Sequence, residues 1–144
     1  MSEEDAPVLR PAIKKGQGVT DAERFLANLS EKSFLDLWSY PNVYRNQHGP
    51  GISTGKELCD LLVICHPHVI IFSEKTIRWP DKPIEVAWAR WFRKAVLESV
   101  EQIRGAERWL RNFPDRVFLD AKCLERFPLD IDIESLVFHR IIVA

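Results

Sequence analysis

The sequence predicts an α/β fold, a small mixed sheet flanked by helices, and three observations lead there. Residues 55–75, GKELCDLLVICHPHVIIFSEK, are two dense apolar runs around a tight His-Pro-His corner. Each run is nearly continuous rather than alternating, the mark of strands covered on both faces. Residues 84–111 place Trp88, Phe92, Ala95, Ser99, Gln102, Ala106 and Trp109 on one stripe of a long helix. Residues 136–143 are a last strand-like run, so a helical crossover joins the hairpin to it and makes that pair parallel.

Taken in order, residues 1–19 hold Pro7, Pro11, Gly16 and Gly18 among charges and read as a mobile arm. A single domain, 20–144, follows. Thr20 and Glu23 form a capping box that opens helix 1. Phe25, Leu26, Leu29, Phe34, Leu37 and Trp38 recur at helical spacing, and Pro41 ends the helix near Tyr40. Residues 42–47 suit a short strand and residues 48–55 a loop. Strand 2 is expected over 58–65 and strand 3 over 69–75. A proline-marked loop, 76–83, then leads into the long helix. Residues 113–134 are irregular, with a short strand at 117–119. The chain ends inside the last strand, which reads either as a terminal strand or as a longer protein cut short.

A chain of 144 residues is one domain by size and large enough for a real core. Its net charge of −1 speaks against a non-specific coat for nucleic acid but leaves room for an enzyme with a local basic cleft. Three cysteines, Cys59, Cys65 and Cys123, show no framework spacing, which suits reduced thiols and a cytoplasmic protein. The acidic start MSEEDAP lacks the apolar run of a signal peptide, and no apolar run approaches the length of a bilayer span.

The order helix, strand, strand, strand, helix, strand, with Asp60 on one hairpin strand and Ser73-Glu74-Lys75 closing the next, resembles the PD-(D/E)XK nuclease superfamily. That group includes restriction endonucleases and RecB-like or Mrr-like nucleases. The resemblance covers residues 20–144 and implies a restriction-endonuclease-like αβββαβ core. It further implies Mg²⁺ or Mn²⁺ as cofactor, DNA as partner and phosphodiester cleavage as activity. In the family the first acid of the hairpin and an acid of the second strand bind the ion, and Asp60 and Glu74 are the residues available. A lysine orients or deprotonates the attacking water, and Lys75 matches it. A glutamine on the crossover helix often completes the site, and Gln102 matches it. Glu23 and Glu31 on helix 1 are both candidates for a further acid, and Glu57 is a third.

The chemistry is consistent with those residue types. Attack on an anionic phosphodiester needs a cation to neutralise developing charge and to lower the pKa of water. Mg²⁺ takes one or two carboxylates and keeps waters, and a nearby lysine adds positive charge in the transition state. Ser73, however, stands where the family has its second acid. With an even hairpin loop, Asp60, Ser73 and Lys75 share a face and Glu74 points away. With a three-residue loop, Asp60 lies opposite Glu74 instead. A β-bulge at Ser73-Glu74 would bring Glu74 and Lys75 together beside Asp60. Strand parity places Glu57 on the face opposite Asp60.

Plainer readings exist for each residue. Strand-end acids and lysines are usually solvated, and a glutamine on an apolar stripe often satisfies a buried polar group. Glu23 already caps a helix. Cys59, Cys65, His66 and His68 match no paired zinc spacing. Trp88, Trp91 and Trp109 read as core. The basic residues of the long helix, offset by glutamates, read as a solvated face with pairs such as Glu101 with Arg104 and Arg108. The alternative to a nuclease is therefore the same fold with a decayed site, an interaction module of a larger protein.

Overall fold

The computed structural model describes residues 12–47 and 54–144. Helix α1 (Asp21–Trp38) opens on the expected capping box: the Glu23 N–H donates to the Thr20 hydroxyl at 3.1 Å, and the Thr20 N–H to the Glu23 carboxylate at 3.3 Å. It ends at Trp38, two residues short of Tyr40, because strand β1 (Ser39–Arg45) begins directly. Strand β1 is thus earlier than the expected 42–47, and Tyr40 is a buried strand residue rather than a helix end. Strands β2 (Lys56–Cys65) and β3 (His68–Glu74) form the hairpin.

The long helix is unbroken from residue 84 to 112 but not uniform. It comprises α2 (Ile84–Phe92), a five-residue π segment (Arg93–Leu97) and α3 (Glu98–Asn112). The wider π turn shifts side-chain direction partway along, which a constant 3.6-residue period does not foresee. Strand β4 (Val117–Phe118) and a single 3₁₀ turn (Ile133–Ser135) precede the last strand, β5 (Val137–Val143).

The sheet is mixed, five-stranded, in the order β4-β1-β2-β3-β5. Neighbours are antiparallel except β3 and β5, which run parallel across the helical crossover. Helices cover both faces. On one, Leu26 of α1 packs against Leu61, Val63 and Phe72, with Phe34 and Trp38 beside them. On the other, Ile103, Ala106 and Leu110 of α3 pack against Tyr40, Leu62, Ile64 and Ile71. Successive β2 residues serve opposite cores, which explains the continuous apolar run.

Three sequence expectations change here. Phe25, Leu29 and Leu37 of α1 are exposed, because the helix turns Leu26, Ala27 and Ser30 to the sheet instead. Trp88 is 53% exposed, although Trp109 packs against the core. The described part of the N-terminal segment, residues 12–19, lies along α1 and β1 rather than free of them. The Lys15 ammonium donates to the Ser39 carbonyl at 3.0 Å and sits 4.1 Å from the Tyr40 ring centre. The Gly18 N–H donates to the Asn42 side chain at 3.0 Å. The rest of that segment, and most of the loop expected over 48–55, lie outside the described residues. Among the described residues no helix is long and apolar enough to cross a membrane.

Candidate active site

The hairpin loop settles which residues share a face. Cys65 pairs with His68, so the loop is the two residues His66 and Pro67, and the register runs Ile64 to Val69, Val63 to Ile70 and Leu61 to Phe72. Continued one step, it sets Asp60 opposite Ser73. Strand β3 does not bulge at Ser73-Glu74: its pairing with β5 is regular through Glu74 and Val143, and the Lys75 N–H continues it to the Val143 carbonyl at 2.9 Å. The bulge that would have gathered Glu74 and Lys75 beside Asp60 is absent.

A bulge does occur, on β2. Val43 pairs with Cys59 but Tyr44 pairs with Glu57, which leaves Leu58 as the extra residue. Leu58 and Cys59 are consecutive and both lie in the same core. An extra residue resets the alternation, so Glu57 and Asp60 come together. This corrects the parity that placed Glu57 on the far face: a three-residue offset across a bulge keeps two side chains on one side.

The Glu57 and Asp60 carboxyls lie within hydrogen-bond reach of each other. Burial pushes the Glu57 carboxyl up to about 7, and the charges of Asp60 and Glu23 add to it against the Asn42 hydrogen bond. Burial also raises Asp60, with the Glu23 and Glu74 charges in the same direction, while the Glu74 N–H and Glu57 favour its ionised form. Two carboxyls brought together in this way disfavour the state in which both are ionised. Asp60 is held from a second side. The β2–β3 ladder is last paired at Leu61 and Phe72, and the Asp60 carboxylate takes the next donor, the Glu74 N–H, at 2.6 Å.

Asn42 ties the cluster to α1. Its amide donates to Glu57 at 3.2 Å and to the Glu23 carboxylate at 3.4 Å. It sits at φ +50°, a left-handed conformation that asparagine tolerates better than most residues. The sequence reading passed over Asn42, although Pro41-Asn42 is a turn signal within a strand-like run. Glu23 remains the helix cap while facing this group. Glu31, exposed, lines a different cleft with Lys15, Arg24 and Asp36.

On the α3 side, the buried Ser73 hydroxyl donates to the Gln102 side-chain oxygen at 2.6 Å. Gln102, Lys75 and Glu57 line one cleft of about 400 Å³ together with Arg45, Lys56 and Glu101. Glu74 is not part of it. Its carboxylate accepts from Thr76 and faces an apolar groove with Phe25, Leu29 and Val143. The structure therefore brings Asp60, Glu57, Lys75 and Gln102 to one end of the sheet and leaves Glu74 contributing a backbone N–H and a nearby charge.

The donor set bears on which metal would fit. Among the described residues no three His, Cys, Asp or Glu side chains converge to hold an ion. Cys59 is buried in the core, where burial pushes its thiol far up, and Cys65 is exposed at the hairpin loop. Zinc, which takes four closely placed protein ligands in structural sites, does not suit this. A carboxylate pair completed by water suits Mg²⁺ or Mn²⁺. Comparison with known proteins gives no match: no family model, no curated sequence and no solved structure matches the chain.

Proposed function

We propose that this chain is a metal-dependent nuclease-like domain with a restriction-endonuclease-like core, akin to the PD-(D/E)XK superfamily and acting on DNA phosphodiester bonds. The reading rests on one observation: Glu57, whose carboxyl lies against that of Asp60, lines a cleft that also holds Lys75 and Gln102. Two acids forced together away from water, with no cation paired to either among the described residues, are in the state a divalent ion would relieve. Glu57 thereby takes the place that Ser73 leaves vacant in the family pattern, and Glu74 does not.

Each side chain then has a task. Asp60, anchored by the Glu74 N–H, and Glu57, anchored by Asn42, would hold Mg²⁺ or Mn²⁺. Such an ion, when bound, lowers the pKa of water and neutralises charge on the phosphoryl oxygens. Lys75 lines the cleft, where its positive charge would stabilise developing negative charge and position the attacking water. Arg45 and Lys56 add positive charge for a phosphate backbone. Gln102, fixed by Ser73, presents its amide at the cleft wall.

The test is DNA cleavage with Mg²⁺ or Mn²⁺ by the wild type and by Lys75→Ala, Glu57→Gln and Asp60→Asn. Metal-dependent cleavage that falls about a hundredfold in Lys75→Ala supports the reading. Cleavage that survives Glu57→Gln but not Glu74→Gln would move the second acid back to β3. A second reading has its own observation: Asp60 already completes the β2–β3 ladder, a structural use that needs no chemistry. Wild-type protein that neither cleaves DNA nor binds Mn²⁺ would favour that reading, a nuclease-fold module serving an interaction.

A further inference from the structure

The exposed aromatic residues around α2 carry an inference separate from the carboxylate pair. Trp79, in the segment after β3, lies 6.5 Å from Trp88 and 6.1 Å from Trp91 between ring centres. Trp88 and Trp91 are stacked at 5.7 Å with 29° between their planes, and Phe92 lies 5.8 Å from Trp88. This is not core. Trp79 is 48% and Trp88 53% exposed, and Ile84 beside them is more exposed still. Within α2 only Ala87 is buried.

The segment that carries it is basic in a chain that is not. Residues 78–94 carry five cations, Arg78, Lys82, Arg90, Arg93 and Lys94, against two acids, Asp81 and Glu85, while the whole chain has net charge −1. All five cations are exposed, and among the described residues none forms an ion pair, whereas Arg104, Arg111 and Arg140 each do. Clustered aromatic faces in a segment that also carries exposed, unpaired cations suit a polyanion that has its own flat faces. Double-stranded DNA hides those faces within its stack, but a single strand offers them.

We propose that the Trp79–Trp88–Trp91 cluster is a stacking platform for the unpaired bases of a single-stranded nucleic acid, with Arg78, Arg90, Arg93 and Lys94 meeting its phosphates. The position extends the idea. Helix α3 runs antiparallel to β3, so the α2 end of the helix projects beyond the end of the sheet that holds Lys75 and Gln102. From Gln102 to Trp88 the helical rise amounts to about 20 Å. A strand lying on the platform would thus lead toward the cleft. Binding there requires no cleavage, so it stands or falls apart from the nuclease reading.

The experiment is intrinsic tryptophan fluorescence of the full chain in EDTA, titrated with oligothymidylate, with a duplex of equal length and with inorganic polyphosphate. Oligothymidylate should bind with quenching, the duplex should bind less tightly, and polyphosphate should bind without comparable quenching. Trp88→Ala, an exposed position, should weaken oligothymidylate binding about tenfold. Should that variant lose its circular dichroism, Arg90→Gln with Arg93→Gln should instead lower the salt dependence of binding. The proposal is overturned if oligothymidylate fails to quench, or if a folded Trp88→Ala or the arginine double variant binds it like wild type. It is equally overturned if the cluster proves to join two copies of the chain, seen as self-association that Trp88→Ala abolishes and oligothymidylate does not disturb.

Discussion

The two ends of the sheet are built on opposite terms. At the hairpin end, β2 and β3 are in regular register from Leu61 and Phe72 to Cys65 and His68, and apolar side chains go alternately to α1 and α3. At the open end the register slips at Leu58, the β2–β3 ladder is finished by a side chain, and the charged residues gather: Glu57, Asp60, Lys75, Arg45 and Lys56. The long helix repeats the contrast. Ser99, Ile103, Ala106 and Leu110 of α3 are buried, whereas α2 buries only Ala87 and leaves Trp88 in solvent. One end is spent on packing, and the other holds groups that packing alone would not select. Mutations should therefore read differently at the two ends.

The largest effect belongs to the packed end. Leu62 is fully buried between Tyr40 and Ile71 on the central strand. Leu62→Ala should cost about 2–5 kcal/mol in urea unfolding through lost burial and a residual cavity. A loss below about 1 kcal/mol would mean that this core is loose and the contrast is false.

At the open end, Asp60→Ala leaves the Glu74 N–H without its acceptor and should cost about 1–3 kcal/mol. Asp60→Asn retains an acceptor oxygen and should cost less than half as much. Equal losses from the two would show that the hydrogen bond to Glu74 is not what Asp60 contributes to stability.

The smallest effect concerns Glu57, and its sign is opposite. Its carboxyl sits at about 7 in the folded chain against an ordinary 4.5, so between those values the folded state holds a proton that the unfolded state has released. Stability should fall as pH rises through that window and stay lower above it. The raised Asp60 carboxyl acts in the same direction. Glu57→Gln should flatten the profile and leave the metal-free protein more stable at pH 8 by on the order of 1 kcal/mol, once partial exposure is allowed for. Thermal melts at pH 5 and pH 8, in EDTA, read this directly. Destabilisation at pH 8 would show that the Glu57 negative charge has a compensating partner in the apo protein.

Much of this was legible in the residues. The two apolar runs, the capping box at Thr20 and Glu23, and the helical crossover to a parallel last strand are local or periodic signals, and the structure has each of them. Asp60, Lys75 and Gln102 were picked from short motifs and do lie at one end of the sheet. The partnership of Glu57 with Asp60 was not legible, because parity along a strand assumes a regular ladder and the slip at Leu58 depends on how β1 meets β2. Asn42 was missed for the same reason, its left-handed backbone being set by that pairing. Trp88 reads as core from the stripe yet stands in solvent, because a stripe gives direction but not what stands opposite.

The sequence by itself determined the main elements, their order and the two-sided burial of the hairpin strands, because turn chemistry and hydrophobic period are properties of neighbouring residues. Only the tertiary structure decided which acid stands beside Asp60 and which aromatic residues remain in solvent. Both depend on contacts between segments far apart in the chain: the offset of β1 against β2, and the length by which the helix outruns the sheet. A single inserted residue on β2 changes the first, and nothing in the spacing of the residues alone records it.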